Sequence, residues 1–484
     1  MVFSYLPFVF AFLPLFFLSY YAVGHFFGTK GKNVVLFVFS LIFYAWGEPV
    51  YIVMMIYSTI LDYTCGIMIE KGEKEGNITK KRIFLGVSLV GNLGLLAIFK
   101  YLMMMVTTLN SLTGLAIPVP EIILPIGISF YTFQTMSYSI DVYRGKVKAQ
   151  RNIVNFGAYV AMFPQLIAGP VVRYETVERE LNQRTESIDD FAVGARRFII
   201  GLGKKTLIAN IMAQTADALF KYAPSSLGMV GSWVAIIAYT FQIFFDFSGY
   251  SDMAIGMGRM MGFHYLENFN YPYIARSVTD FWRRWHISMS TFFRDYLYIP
   301  LGGSRVSKPR WLINIFIVWF ATGLWHGASW NFVIWGLYFG LLLVLEKFFM
   351  LKLFEHSKVF SHILTLFFIV FGWVIFTQES VGGILEYIKA MFGAYGRFGI
   401  GDTNAVLLMQ HSDVNTIFII ALCAAILFST PIAKIIKEKL VAKGNGQLPT
   451  VAAVAYDIGV FAVLFLCTIQ LALGAYNPFI YFRF

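Results

Sequence analysis

Long apolar runs separated by short basic stretches set the pattern of this chain. A spanning helix needs about 20 apolar residues, with a working range of roughly 17–25. Runs of that kind lie at 5–23, 83–106, 122–141, 229–258, 361–377, 415–432 and 451–472. The run 34–69 is too long for one span. It breaks at Gly47-Glu48-Pro49, a turn signal, and predicts a helical hairpin. The run 312–351 breaks near Gly327–Asn331 or at Trp335-Gly336 and predicts two spans. Three apolar runs lie between 152 and 263, at 153–170, about 198–220 and 229–258, and parity allows an even number. The first contains Pro164 and ends Ala168-Gly169-Pro170, poor chemistry for a regular helix. It predicts a re-entrant segment that dips in and returns. Irregular backbone at membrane depth is tolerated only against protein or a water-filled cavity, so a cavity is expected in the middle of the protein. No internal repeat of the kind common in secondary transporters is visible.

The charges sit in the loops. Lys30 and Lys32, the loop 70–82, Arg144 to Arg151, the stretch 263–310 and Lys434 to Lys443 are basic. By the positive-inside rule these loops are cytoplasmic, which leaves both termini on the extracytoplasmic side. The first run lacks a positive n-region and a small-residue cleavage site, and reads as a span rather than a removed signal peptide. Composition agrees: 58% of the 484 residues are hydrophobic and 13% charged, against about 25% charged in a soluble domain. The expectation is an all-α polytopic membrane protein with one domain, 1–484. The net charge of +11 is accounted for by the loops, so no nucleic-acid partner is expected. Cys65, Cys423 and Cys467 stand apart in apolar contexts and read as small buried hydrophobes. The histidines form no i, i+4 pair and no HExxH occurs, so no metal site is expected. Without a Walker A loop or a GxGxxG after a strand, nucleotide hydrolysis is not expected; no permanently bound cofactor is expected.

Some residues look costly for a purely structural role. In FQIFFDFSGYSD (241–252), Asp246 lies inside a long apolar stretch. An ionisable group at that depth costs about 2.5–3.5 kcal/mol on insertion scales. Asp246 either lines a cavity or makes a helix-to-helix hydrogen bond, to an arginine or to Ser248 and Tyr250. The segment FWRRWHISMSTFFRDYLYIPLGG (281–303) packs Arg283, Arg284, Trp285, His286 and Arg294 into a cytoplasmic stretch. Ordinary interfacial anchoring explains it, and so does binding of an anionic, phosphate-bearing acyl donor. In ATGLWHGASWN (321–331), His326 lies about 14 residues into its span, roughly 21 Å deep at 1.5 Å per residue. It is a satisfied structural histidine or a general base. Gly323 and Gly327 leave room for another backbone or a substrate, and Trp325 and Asn331 complete the setting. The tail NPFIYFRF (477–484) is aromatic where a free tail is normally polar. It is expected to dock, and Tyr481 carries its one nucleophilic hydroxyl, although an aromatic-belt role is the simpler reading.

In these motifs the chain resembles the membrane-bound O-acyltransferases, in the branch that contains the alginate and peptidoglycan O-acetylation membrane proteins. The resemblance rests on LPIGISFYTFQTMSYSIDVYRG (124–145), FPQLIAGPVVRY (163–174), FFDFSGYSDMAIGMGRMMGF (244–263), ENFNYPYIARSVTDFWRRWHISMSTFFRDYLYIPLGG (267–303) and LWHGASWNFVIWGLYFG (324–340). It implies a helical ring of about 11–12 spanning helices plus re-entrant helices around a central tunnel, in the cytoplasmic membrane. His326 would be the active-site histidine and His286 a second functional one. Tyr481 would accept the acyl group before an extracytoplasmic SGNH-type transferase partner passes it to a polysaccharide. Arg483 departs from the polar uncharged residue usual in relatives. A thioester such as acetyl-CoA would be the donor, docking around 276–294. Donor-binding residues would then be Arg283, Arg284, Trp285, Arg294, Asp246, Trp325 and Asn331. The rival readings are a transporter or flippase of lipid-linked sugar, a scaffold for an export complex, and an acyltransferase with another acceptor, such as D-alanylation of teichoic acid.

Overall fold

In hydrocarbon no water pairs with a free peptide group, so a spanning chain must satisfy its backbone internally, and helices do this segment by segment. The computed structural model describes residues 2–167, 169–397, 414–444 and 446–479, and among them there is no strand. In chain order the helices are α1 (Phe8–Gly47), α2 (Ile52–Lys74), α3 (Ile78–Thr113), α4 (Ile128–Tyr143), α5 (Ile153–Ala161), α6 (Phe163–Leu166), α7 (Tyr174–Asn182) and α8 (Ile188–Gly203). There follow α9 (Asn210–Leu219), α10 (Pro224–Met260), α11 (Val278–Arg284), α12 (Ile287–Phe293), α13 (Lys308–His326) and α14 (Trp330–Met350). The last are α15 (Leu351–His356), α16 (Lys358–Thr377), α17 (Val381–Met391), α18 (Thr416–Phe428), α19 (Ile432–Lys443) and α20 (Thr450–Ala472).

Seven of the described helices are long and apolar enough to cross a membrane: α1, α2, α3, α10, α14, α16 and α20. An eighth is the pair α18 and α19, if its 55° bend lies within one span. The protein is a multi-pass membrane protein with an all-helical fold. The gap to the larger number expected has local causes. Gly28 (φ 61°) folds α1 sharply between the two runs read from the sequence. Helix α4 has 16 residues and so does α8, both short for a span. The hairpin break at Gly47-Glu48-Pro49 is where α1 ends and α2 follows. Lipid is the natural cover for α20, of whose most apolar window only 11% is buried. Val451, Ile458, Phe461 and Phe465 are exposed there, a patch that water would not tolerate.

The described chain forms two compact units, Met1–Phe198 with Ser251–Leu266, and Ile199–Tyr250 with Glu267–Phe484. In the first, the described part of 153–170 is a short helix, a break and a single turn, buried from Asn155 on. The break falls at Met162, and Pro164 sits in the first turn of α6, where its missing N–H costs nothing. Side chains satisfy the exposed peptide groups: Ser40 Oγ accepts from Phe163 N at 3.1 Å, and Gln134 and Gln165 both donate to Tyr159 O, at 3.0 and 2.8 Å. The Phe163 ring is enclosed by Phe8, Phe12, Phe16 and Phe43, with centroids 5.0–6.2 Å away. In the same unit α8 and α10 touch backbone to backbone. A Cβ on Gly194 would lie 2.5 Å from Gly256 O, and one on Gly256 2.6 Å from Gly194 O. Ion pairs flank this contact, Arg197–Asp252 at 2.8 Å and Arg259–Asp190 at 3.0 Å.

The contact at Gly256 generates a prediction with opposite signs at two glycines. Gly256→Ala forces two helices apart and is expected to destabilise by about 1–3 kcal/mol. Gly86→Ala meets nothing within 4 Å and is expected to stabilise slightly, since alanine is the better helix former. Melting temperatures in one detergent read the difference.

Candidate active site

The site lies in the second unit and is built on two short helices, α11 and α12. Helix α11 starts at Ser277, whose hydroxyl accepts from Asp280 N at 3.0 Å. The first N–H groups of a helix have no partner within it. Two of those of α11 go to Glu346, a buried carboxylate on α14: Val278 N donates to Oε2 at 2.5 Å and Thr279 N to Oε1 at 3.2 Å. A carboxylate at that end also meets the positive pole of the helix.

Between the two helices the chain turns through His286, which is fully buried with φ 45° and ψ 54°. A non-glycine residue in this left-handed region is strained and persists only where its surroundings over-determine it. Asn268 provides that restraint. Its carbonyl accepts from Ile287 N at 2.9 Å, and its side-chain oxygen accepts from Ser288 N at 3.2 Å and Ser288 Oγ at 2.8 Å. The same oxygen lies 3.2 Å from His286 Nδ1. An amide oxygen only accepts, so Nδ1 carries the proton and Nε2 keeps the lone pair. Burial, and then the His326 ring, lower His286 well below the ordinary imidazole range. Its ring meets Phe247 edge-on at 4.6 Å.

His326 is the last residue of α13 and is half-buried. Three aromatic rings box it, each near-perpendicular: Trp335 at 4.8 Å, Trp325 at 5.1 Å and Phe376 at 5.5 Å. Trp325 also stands 5.8 Å from His286, so the two imidazole centroids are no more than about 11 Å apart. Asn331 anchors the start of α14 by donating to Phe376 O at 3.3 Å. The glycines of this segment serve the neighbouring backbone. A Cβ on Gly323 would lie 2.4 Å from Phe332 O, one on Gly336 2.2 Å from Trp319 O, and one on Gly327 2.2 Å from the Phe332 ring.

A cavity of about 180 Å³ lies beside α13, walled by Trp282, Met289, Phe293, Ile315, Val318 and Trp319, with Ser290, Arg294, Tyr298 and Thr322 supplying polarity. Ile315, Val318, Trp319 and Thr322 form one face of α13, and at helical spacing that face continues to His326. Drug-sized ligands occupy roughly 300–1,000 Å³, so this space suits a linear arm rather than a whole nucleotide.

The structure thus gathers His286, Trp325, His326 and Asn331. Of the other residues singled out from the sequence, Arg294 lines the cavity and the rest stand elsewhere. Arg283 is exposed on α11. Arg284 Nε is held by Asp280 at 2.8 Å, and exposed Arg294 by Asp295 at 2.6 Å. Trp285 is core, 5.0 Å from Trp373 and 5.5 Å from Phe281. Asp246 meets Lys205, at 2.7 Å. Tyr481 lies outside the described residues. Sequence reasoning missed Asn268, Glu346, Trp335, Phe376 and Lys205. The signal for Lys205 was available, a lysine within the apolar run near 198–220; the others needed the fold.

A boxed histidine at the end of one helix and a cavity beside that helix, in a multi-pass membrane protein, define the class. Comparison with known proteins narrows it. The model of the membrane-bound O-acyltransferase family, MBOAT, matches residues 147–385. The chain is 38% identical to the probable alginate O-acetylase of Azotobacter vinelandii, over 100% of both chains. It is 34% identical to the peptidoglycan O-acetyltransferase of Helicobacter pylori, over 80% of this chain and 79% of that one. It is 28% identical to the teichoic acid D-alanyltransferase of Bacillus subtilis, over 52% of this chain and 69% of that one. The chain belongs to the membrane-bound O-acyltransferase family and is an acyltransferase.

Two outcomes follow from the His286 site. Asn268→Leu removes the acceptor that His286 Nδ1, Ser288 N and Ser288 Oγ share and is expected to cost about 1–3 kcal/mol in thermal unfolding. The lowered His286 also sets a pH sign. The unfolded chain takes up a proton below about pH 6.5 that the native chain refuses. Stability is therefore whole above that pH and falls as pH drops below it. His286→Gln should flatten the dependence of melting temperature between pH 7 and 5.5.

Proposed function

We propose that this protein transfers an acetyl group from a cytoplasmic thioester donor, acetyl-CoA, across the cytoplasmic membrane for O-acetylation of an envelope polysaccharide or exopolysaccharide. The reading is supported by full-length similarity to proteins named for alginate and peptidoglycan O-acetylation, against half-length and weaker similarity to those named for D-alanylation. The observation that carries the chemistry is the His326 imidazole, held in an aromatic box at the end of the α13 face that lines the cavity.

The donor's acyl arm enters beside Arg294 and lies along Ile315, Val318 and Thr322. His326 removes the phenolic proton of Tyr481 as its oxygen attacks the thioester carbonyl. The tetrahedral intermediate expels the thiolate, which takes the proton back from the imidazolium. The products are a free thiol and an acyl-tyrosine ester. A phenol of pKa ~10 is a weak nucleophile near pH 7, so the step needs an adjacent base. An SGNH-type transferase on the extracytoplasmic side collects the acyl group and delivers it to the glycan. Both chain termini lie on that side.

Purified protein in liposomes with radiolabelled acetyl-CoA tests this. A label on Tyr481 is expected in wild type. It should be absent in Tyr481→Phe and slowed about 10²–10⁴-fold in His326→Ala, the span of general-base effects. No label in wild type with the partner supplied would reject the tyrosine relay. Ser290→Phe narrows the cavity and should raise KM for the donor at least about tenfold with a smaller change in kcat, the pattern of lost ground-state binding.

A further inference from the structure

After α20 the chain reverses. Gly474 has φ 65°, and Ala475 N donates back to Gln470 O at 3.2 Å, a helix end closed by a left-handed residue. Residues 476–479 then run against the segment that joins α8 to α9, the π-helical turn Lys204–Ala209, and against α10. Tyr476 OH donates to Asp217 at 2.5 Å and Asn210 Nδ2 to the Asn477 side chain at 3.1 Å. Phe479 is buried, its ring 4.5 Å from that of Tyr250.

At the centre of this contact is Lys205. Its ammonium pairs with Asp246 at 2.7 Å, and both side chains are 1% exposed. A buried ion pair is weak evidence for stability, because desolvating two charges offsets their attraction unless further groups complete the shell. Here they do. A lysine ammonium has three donors, and besides Asp246 it reaches the Pro478 carbonyl, with the Phe479 ring centroid 6.0 Å away. Lys205 sits on the π-helical turn Lys204–Ala209, one of five such turns among the described residues.

We propose that the Lys205–Asp246 pair is a seat for the chain's own C-terminal segment, with Lys205 the positioning residue that fixes Pro478 and Phe479 against α10. The seat stands on contacts alone; its importance for acyl transfer rests on the proposed role of Tyr481, two residues beyond Phe479. Hydrogen–deuterium exchange of the full-length protein in detergent tests it, reading peptides that cover 473–484. Lys205→Met with Asp246→Leu removes both charges and keeps approximate shape. The terminal peptides should exchange at least tenfold faster, with peptides of α10 and α13 unchanged. Unchanged terminal peptides in an intact bundle would overturn the seat. If the bundle loosens as well, Tyr250→Leu decides: it leaves the ion pair and removes the ring against Phe479. Terminal exchange should then rise at least threefold, and no rise overturns the proposal. Acyl labelling separates the two readings. Loosened terminal peptides with labelling undiminished keep the seat and remove the relay through the tail; unchanged terminal peptides remove the seat whatever the label does.

Discussion

Backbone touches backbone where α13 meets α14, at Gly323 and Gly336, and the geometry of the second unit depends on that approach. A single Cβ at either glycine would fall 2.2–2.4 Å from a carbonyl oxygen of the other helix. Because the helices are this close, the end of α13 brings His326 to 4.8 Å from Trp335, a side chain of α14. The same approach leaves Trp282 of α11 to pack between the pair, 4.9 Å from both Trp319 and Phe339. Interiors are packed as densely as organic crystals and transmit displacement rather than absorb it. The position of the histidine and the width of the cavity beside it are therefore coupled to one contact between small residues.

Buried polar groups do the second part of the work. Leaving one without a partner costs several kcal/mol in an apolar interior, so each marks a place where the chain departs from a regular helix. Glu346 meets the free N–H groups of α11, Asn268 secures the strained turn at His286, and Lys205 with Asp246 meets the returning C-terminal segment. In each case the polar side chain comes from a different stretch of sequence than the backbone it satisfies. These groups specify arrangement more than they add stability, in keeping with the small net value of buried ion pairs.

Much of the fold was legible along the chain. The turn at Gly47-Glu48-Pro49, the break between α13 and α14, and the irregular buried stretch around Pro164 all follow from local chemistry, and all are present. His326 stood out as a polar residue deep in an apolar run flanked by glycine. Asp246 stood out in the same way; the lysine that meets it lies 41 residues earlier on another element, beyond the reach of any local pattern. In the basic segment 276–294, Arg284 and Arg294 are each held by an aspartate, Arg294 also lines the cavity, and Trp285 faces the core.

What the sequence determined by itself was the membrane class, the position of most helices, the breaks between them and the presence of a polar residue that needed explaining. Those depend on hydropathy and on turn and capping residues, which act over a few positions. Only the tertiary structure decided which rings enclose His326, which amide fixes the tautomer of His286, and which lysine receives the end of the chain. These are contacts between residues far apart in sequence, such as Lys205 with Pro478. They are chosen by shape and by the need to pair every buried charge, and neither is written in the periodicity of any one segment.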